Sequence, residues 1–153
     1  MFNLLSPVRG GVHPAAHKDR SSALTIATAP LPDRLLLPLR QHAGADALPV
    51  VRVGDRVLKG QLIAAAGSEV SAPVHASSSG RVVAIGAIAA PHPSGLTANG
   101  IVIECDGEDR WIETEIPADP FSLEPMVLAD RVAQAGVVGL GGAIFPAAVK
   151  LKQ

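Results

Sequence analysis

The stretch PVVRVGDRVLKGQLIAAAGSEVSAPVHASSSGRVVAI, running from Pro49 to Ile85, decides the fold. Val50, Val51 and Val53 lead into Gly54-Asp55, a pair that admits positive φ and turns the chain. Val57-Leu58 leads into a second such point, Lys59-Gly60, before the apolar run from Gln61 to Ala64. The pattern repeats through Glu69–Ala76 and Ser79–Ile85, with Gly80 as the second turn glycine. Dense β-branched residues favour strands, and turn signals spaced by about 8–12 residues indicate a small all-β barrel or sandwich. The expected core is Val51, Val53, Val57, Leu58, Ile63, Val70, Val74, Val82 and Ile85.

Upstream, residues 1–22 carry Gly10-Gly11-Val12-His13-Pro14, then His17, Lys18 and Arg20, too many breakers and charges for a core element, so an ordered arm is expected. Two short apolar runs, Ala23–Thr28 and Arg34–Leu39, flank a Pro-Leu-Pro-Asp turn and are both predicted to be strands. Downstream, Ile101–Glu104 and Arg110–Ile112 are predicted to form a hairpin about Asp106-Gly107. Beyond Pro120 the period changes. Ser122 is placed to cap a helix with Glu124 and Pro125 in its first turn. Leu123, Met126, Val127, Asp130 and Ala133 follow at helical spacing, and Gly136 stops it. A glycine loop follows, and Pro146 is placed to start a further helix too short to stand alone, so the sequence reads as cut.

The chain has 153 residues, 48% of them hydrophobic, enough for a buried core in one ordinary domain. Thirteen basic against 14 acidic residues give a formal charge of -1, which removes the electrostatic case for nucleic acid. The four aromatic residues, Phe2, Trp111, Phe121 and Phe145, offer little for base stacking. The longest apolar stretch, Gly136–Val149, is 14 residues with four glycines and Pro146, short of the roughly 18 that span a bilayer. The first residues lack a basic n-region, so no secretory signal is expected and the cytoplasm is the default compartment. Cys105 stands alone, which excludes an internal disulfide or a four-cysteine metal or iron-sulfur site within this chain.

Few residues suggest chemistry. Gly139, Gly141 and Gly142, followed by Ala143, could let backbone N–H groups approach a phosphate; a tight structural turn is the alternative. This is no dinucleotide-binding fingerprint, because Ile144 stands where the third glycine belongs. His13 and His17 have a metal-binding i, i+4 spacing, but Pro14 and the glycines argue for structural or surface roles. His42, His75 and His92 sit in turn-like contexts where imidazoles bond nearby backbone. Ser77-Ser78-Ser79 is better explained by turn chemistry than as a nucleophile. Cys105, between Glu104 and Asp106, is expected to have a raised thiol pKa.

Seven motifs in order carry a resemblance: Gly10-Gly-Val-His-Pro14 with Lys18, Pro38-Leu-Arg-Gln41-His42-x-Gly44, Val53-Gly-Asp-x-Val-Leu-Lys-Gly-Gln61, Ser71-Ala-Pro-Val-His-Ala76, Ser79-Gly80, Pro91-His-Pro-Ser-Gly95 and Gly139-Leu-Gly-Gly-Ala143. Over nearly its whole length the chain resembles the N-terminal part of the C subunits of the Rnf/Rsx electron transport complex, an ion-translocating ferredoxin:NAD oxidoreductase. The resemblance implies a subunit peripheral to the inner membrane on its cytoplasmic side, similar to the flavin- and NADH-binding subunit of respiratory complex I, with the other subunits of the complex as partners. FMN, NADH and 4Fe-4S clusters are implied for the full-length subunit and none for this stretch, which is expected to be a non-catalytic packing or docking domain.

Pro49–Ile85 also resembles the barrel-sandwich hybrid of lipoyl and biotinyl domains. The carrier alternative lacks its modified lysine, since the hairpin between the two halves reads Ala66-Gly67-Ser68-Glu69. The expected organisation is therefore mainly β: an arm with short strands over 1–48, the barrel-sandwich hybrid over 49–118, and a helix plus glycine loop over 119–153 that begins an α/β flavin-binding domain. In related flavin subunits the loop reads Gly-Gly-Ala-Gly-Phe-Pro with a lysine soon after. The resemblance therefore implies Gly139, Gly141, Gly142, Ala143 and Lys150 as cofactor-binding residues, while Ile144 is a departure that puts close phosphate approach in doubt.

Overall fold

The computed structural model of the chain describes residues 15–92 and 94–152. The motif at Gly10–Pro14, and with it His13, lies outside them. The chain divides into two units, 1–30 and 31–153. In the first, the described part holds one short 3-10 turn, Lys18–Arg20, preceded by His17 at φ 49, a left-handed conformation foreign to an α-helix. Residues 23–28 form no strand, contrary to expectation: β-branched composition makes a strand only where a ladder partner is available.

The second unit is mainly β. Strands β1 (Arg34–Pro38), β2 (Leu48–Pro49), β3 (Arg56–Val57), β4 (Leu62–Ala65), β5 (Val74–His75), β6 (Gly80–Ala89) and β7 (Thr97–Cys105) precede two helices, α1 (Pro125–Gln134) and α2 (Ala147–Leu151). They form two antiparallel sheets, ordered β1-β7-β6-β3 and β2-β4-β5. Both sheets contribute to one core, in which Leu37, Val57, Ile63, Val74, Val82, Ile101 and Ile103 are buried. No helix among the described residues is long and apolar enough to cross a membrane.

Register explains which residues point inward. Leu35 faces Ile103 and Leu37 faces Ile101, so the period-2 rule puts all four on one side. On β6 the pairing jumps from Val82↔Ile103 to Ala84↔Val102, leaving Val83 as an extra residue. This bulge flips the alternation, so that Ile85, three positions after Val82, meets Ile101 and packs on the core while Ala84 is exposed.

Of the expected core, Val57, Ile63, Val74 and Val82 are buried, and Val51 and Ile85 pack against them. Leu58 and Val70 are half-buried. Val53 is not a core residue, because the turn starts one residue early: Arg52 N–H donates to Asp55 Oδ2 (2.8 Å), Asp55 N–H to the Arg52 carbonyl (3.1 Å), and Val53 points outward from the turn. Glycine serves two purposes here. Gly54 and Gly60 have φ of 100 and 83, as turns demand, whereas Gly80 lies in β6 where a Cβ would collide with the Glu104 carbonyl oxygen.

The hairpin expected around Asp106-Gly107 does not form. Gly107 does turn (φ 80), but β7 already has β1 on one edge and β6 on the other, leaving no edge for residues 110–112. Trp111 instead forms an isolated parallel bridge with Lys59. Ser122 is likewise not the cap of α1. Asp119 caps a 3-10 turn over Pro120–Ser122, accepting from Phe121 N–H at 2.9 Å, and α1 begins at Pro125, the position where a missing N–H costs nothing. Gly136 ends α1 as expected, at φ 68.

Candidate functional site

The glycine loop runs from the end of α1 to α2. Gly136 brings it against the barrel, where a Cβ would lie 2.8 Å from the Pro73 carbonyl oxygen. A bridge between Val138 and Pro146 closes its base, reinforced by hydrogen bonds from Gly139 N–H to the Phe145 carbonyl (2.9 Å) and from Ala147 N–H to the Val137 carbonyl (3.0 Å). At its tip Ile144 N–H donates to the Gly141 carbonyl (3.0 Å), and Leu140, Gly141, Gly142 and Ala143 are exposed. Lys150, on α2, lies 5.7 Å above the Phe145 ring. The structure thus places Gly139, Gly141, Gly142 and Ala143 on one loop, with Lys150 tied to its last aromatic residue.

Nothing within the fold calls for glycine at 141 or 142. Neither has a left-handed φ, and a Cβ on either would meet no atom within 4 Å. Ile144 shows the opposite. Its φ of 43 is one that a β-branched residue rarely adopts, so glycine would be at ease where isoleucine stands. The departure at 144 therefore bears on backbone strain more than on access to the tip, which lies at 141–143.

A second polar cluster joins residues far apart in sequence. Asp109 accepts from Lys59 Nζ (2.6 Å) and from the buried Ser78 hydroxyl (2.8 Å), while Lys59 also lies 5.0 Å above the Trp111 ring. Asp106 accepts from the buried Ser79 hydroxyl (2.7 Å), and Ser79 in turn accepts from Arg110 N–H (2.9 Å). Ser78 and Ser79 thus spend their hydroxyls on distant carboxylates and not on the local turn that their sequence suggested. The cluster itself has no mark in the sequence, since its partners are 27 to 50 residues apart with no local spacing to reveal them. The nearest lysine to the 66–69 hairpin is engaged here, so it is no free carrier amine.

The charges follow from these contacts. The Lys59 and Ser78 hydrogen bonds hold the Asp109 carboxyl below its usual range; those from Ser79 and the Glu108 backbone do the same for Asp106. A carboxyl whose folded pKa is depressed contributes stability that is present above its ordinary value, near about 3.9, and lost as pH falls through the lower folded one. Melting curves between pH 6 and 3 should therefore show the native chain losing stability below about pH 4, with a shallower slope in Asp109→Asn. Equal slopes would mean the contact has no electrostatic weight.

Burial first, then the Asp106, Asp109 and Asp33 charges, pushes the Cys105 thiol up against a smaller opposing effect from Ser78, which disfavours a nucleophilic thiolate. Burial lowers His75, opposed by its bond with the Gln134 backbone. His92 Nδ1 accepts from Ser94 N–H at 3.1 Å. His42 is buried, with Nδ1 3.0 Å from the Ala43 carbonyl and Nε2 accepting from Ala72 N–H at 3.2 Å. His42 and His92 bond neighbouring backbone, as their contexts suggested, whereas His75 lies on β5 and its backbone partner, Gln134, is distant in sequence. Among the described residues no three His, Cys, Asp or Glu side chains gather as a metal site.

Comparison with known proteins agrees with this architecture. Residues 6–108 match the family model described as the RnfC Barrel sandwich hybrid domain. The similar curated proteins are C subunits of ion-translocating oxidoreductase complexes. To that of Rhodobacter capsulatus the chain is 51% identical over 144 residues, covering 94% of this chain and 28% of that protein. To that of Pseudomonas aeruginosa it is 53% identical over 143 residues (93% of this chain, 18% of the relative), and to that of Serratia proteamaculans 47% over 143 residues (94% and 20%). The chain thus spans less than a third of the length of these curated relatives. The matched region holds all seven strands and both halves of the β pattern, and on that match the chain belongs to the family of RnfC barrel sandwich hybrid domains.

Proposed function

We propose that this chain is the N-terminal packing and docking domain of such a subunit, in a membrane-bound complex that passes electrons between NADH and ferredoxin, on the cytoplasmic side of the inner membrane. The β domain, which starts upstream of the expected boundary at 49 because β1 and β2 pair into its sheets and Leu37 packs into its core, does no redox chemistry. Residues 119–153 begin the flavin-binding part, and the glycine loop meets a phosphate of FMN or NADH through Gly139, Gly141, Gly142 and Ala143, with Lys150 supplying positive charge. FMN would bring the electron-carrying chemistry; this chain's residues would bind and orient it. Its own residues do not suit an iron-sulfur cluster, since such a cluster takes about four cysteine ligands and this chain has one cysteine.

The observation that carries the reading is the pair Gly141 and Gly142, exposed side by side where neither φ nor packing needs glycine. Two neighbouring residues without Cβ allow close approach by an outside group. Docking is supported by large apolar side chains left exposed downstream of the strands: Ile116 at 84%, Phe121 at 93% and Leu140 at 99%. An open groove of about 750 Å3 beside α1, lined by Lys59, His75, Trp111, Ile112, Glu115 and Arg131, offers further surface to a partner.

Gly142→Val in the full-length subunit should weaken FMN or NADH binding by at least about tenfold, roughly 1.4 kcal/mol, while leaving the melting of the 153-residue chain unchanged. Unaltered affinity for both ligands would make the loop a structural turn.

A further inference from the structure

We infer that His42 is a positioning residue for the glycine loop, acting through the turn formed by Gln41 to Ala45; this rests on the reading of that loop as a ligand contact. The imidazole uses both nitrogens inside the protein. Because Nε2 accepts the Ala72 N–H, the ring proton sits on Nδ1 and is donated to the Ala43 carbonyl. Two further bonds fasten the turn to the 66–73 hairpin. Ala45 N–H donates to the Val70 carbonyl (3.0 Å), and the Ser71 hydroxyl, which accepts from Gly67 N–H, donates to the Ala45 carbonyl (2.9 Å).

Once fastened, the turn presents the Ala43 N–H outward, and that N–H donates to the Ile144 carbonyl at 3.0 Å. This bond lands on the residue held at φ 43, directly after the loop's exposed tip. A strained conformation persists where its surroundings over-determine it. Here those surroundings are the turn that His42 clamps, the closure between Gly139 and Phe145, and the bond from Ile144 N–H to Gly141. The hairpin that carries the modifiable lysine in lipoyl-type domains is thereby used as an anchor, passing the rigidity of the barrel to the loop. A loop ordered in advance loses less entropy on binding a phosphate than one that must be ordered by the ligand.

Two measurements test this. In the 153-residue chain, amide hydrogen exchange should quicken at Ala43 by about tenfold or more in His42→Ala, relative to Val82, whose N–H donates to Asp55 within the barrel. An unchanged ratio overturns the positioning role. In the full-length subunit, FMN titration should show affinity weakened about fivefold or more by His42→Ala and restored at least in part by His42→Gln, whose side-chain oxygen can take the place of Nε2 in accepting the Ala72 N–H. If Gly142→Val weakens FMN binding and His42→Ala does not, the positioning role is wrong and the ligand loop stands. If Gly142→Val has no effect, the ligand loop fails, and the exchange ratio at Ala43 still decides whether His42 holds it.

Discussion

Gly44→Ala is expected to unfold the chain or cost it more than about 3 kcal/mol, the largest effect of any single methyl group added to the second unit. Gly44 has a φ of 91, and a Cβ would collide with the Val70 carbonyl oxygen and lie 2.7 Å from its carbon. Both are backbone atoms of the 66–73 hairpin, so no side chain can swing aside. The Ala45 N–H to Val70 carbonyl bond would break with the displacement. Gly54→Ala separates the two components of this cost. Gly54 has a similar φ of 100 but open space around its Cβ, so its replacement should cost only the left-handed strain, about 1–2 kcal/mol. Urea melts of the two variants measure the difference. Equal losses would mean that the approach to Val70 relaxes freely.

Ile103→Ala should cost about 2–5 kcal/mol. Ile103 is fully buried in the C-terminal half of β7, opposite Leu35 of β1 on one side and Val82 of β6 on the other. Both neighbours are held in place by ladder hydrogen bonds, which limits collapse into the cavity. Val102→Ala, one residue along and only half-buried, should cost less than half as much. A reversal of that order in equilibrium unfolding would contradict the register given for β7.

Much of this architecture was legible in Pro49–Ile85 because its turns are chemically marked. Gly54 and Gly60 adopt the positive φ that made them turn candidates, with Val57 buried between them and Ile63, Val74 and Val82 buried on the strands that follow. What escaped depends on pairing between distant residues. The Val83 bulge exists because of its partner strand, so the inward position of Ile85 has no explanation in the spacing of β6 alone. Arg110–Ile112 look like a hairpin arm until β1 is seen to occupy the edge they would need. In the glycine loop the turn is visible in its glycines, but the strain at Ile144 and its tie to Ala43 link segments about a hundred residues apart.

Under the proposed function this domain packs and positions, and the rest of the full-length protein completes the cofactor site. Titrating FMN into the purified 153-residue chain and into the full-length protein, then adding NADH to each, separates the two roles. The full-length protein is expected to bind FMN and oxidise NADH, whereas the 153-residue chain binds FMN at least about 100-fold more weakly and oxidises no NADH. Equal FMN affinity in the two proteins, or NADH oxidation by the 153-residue chain, would contradict that division of roles.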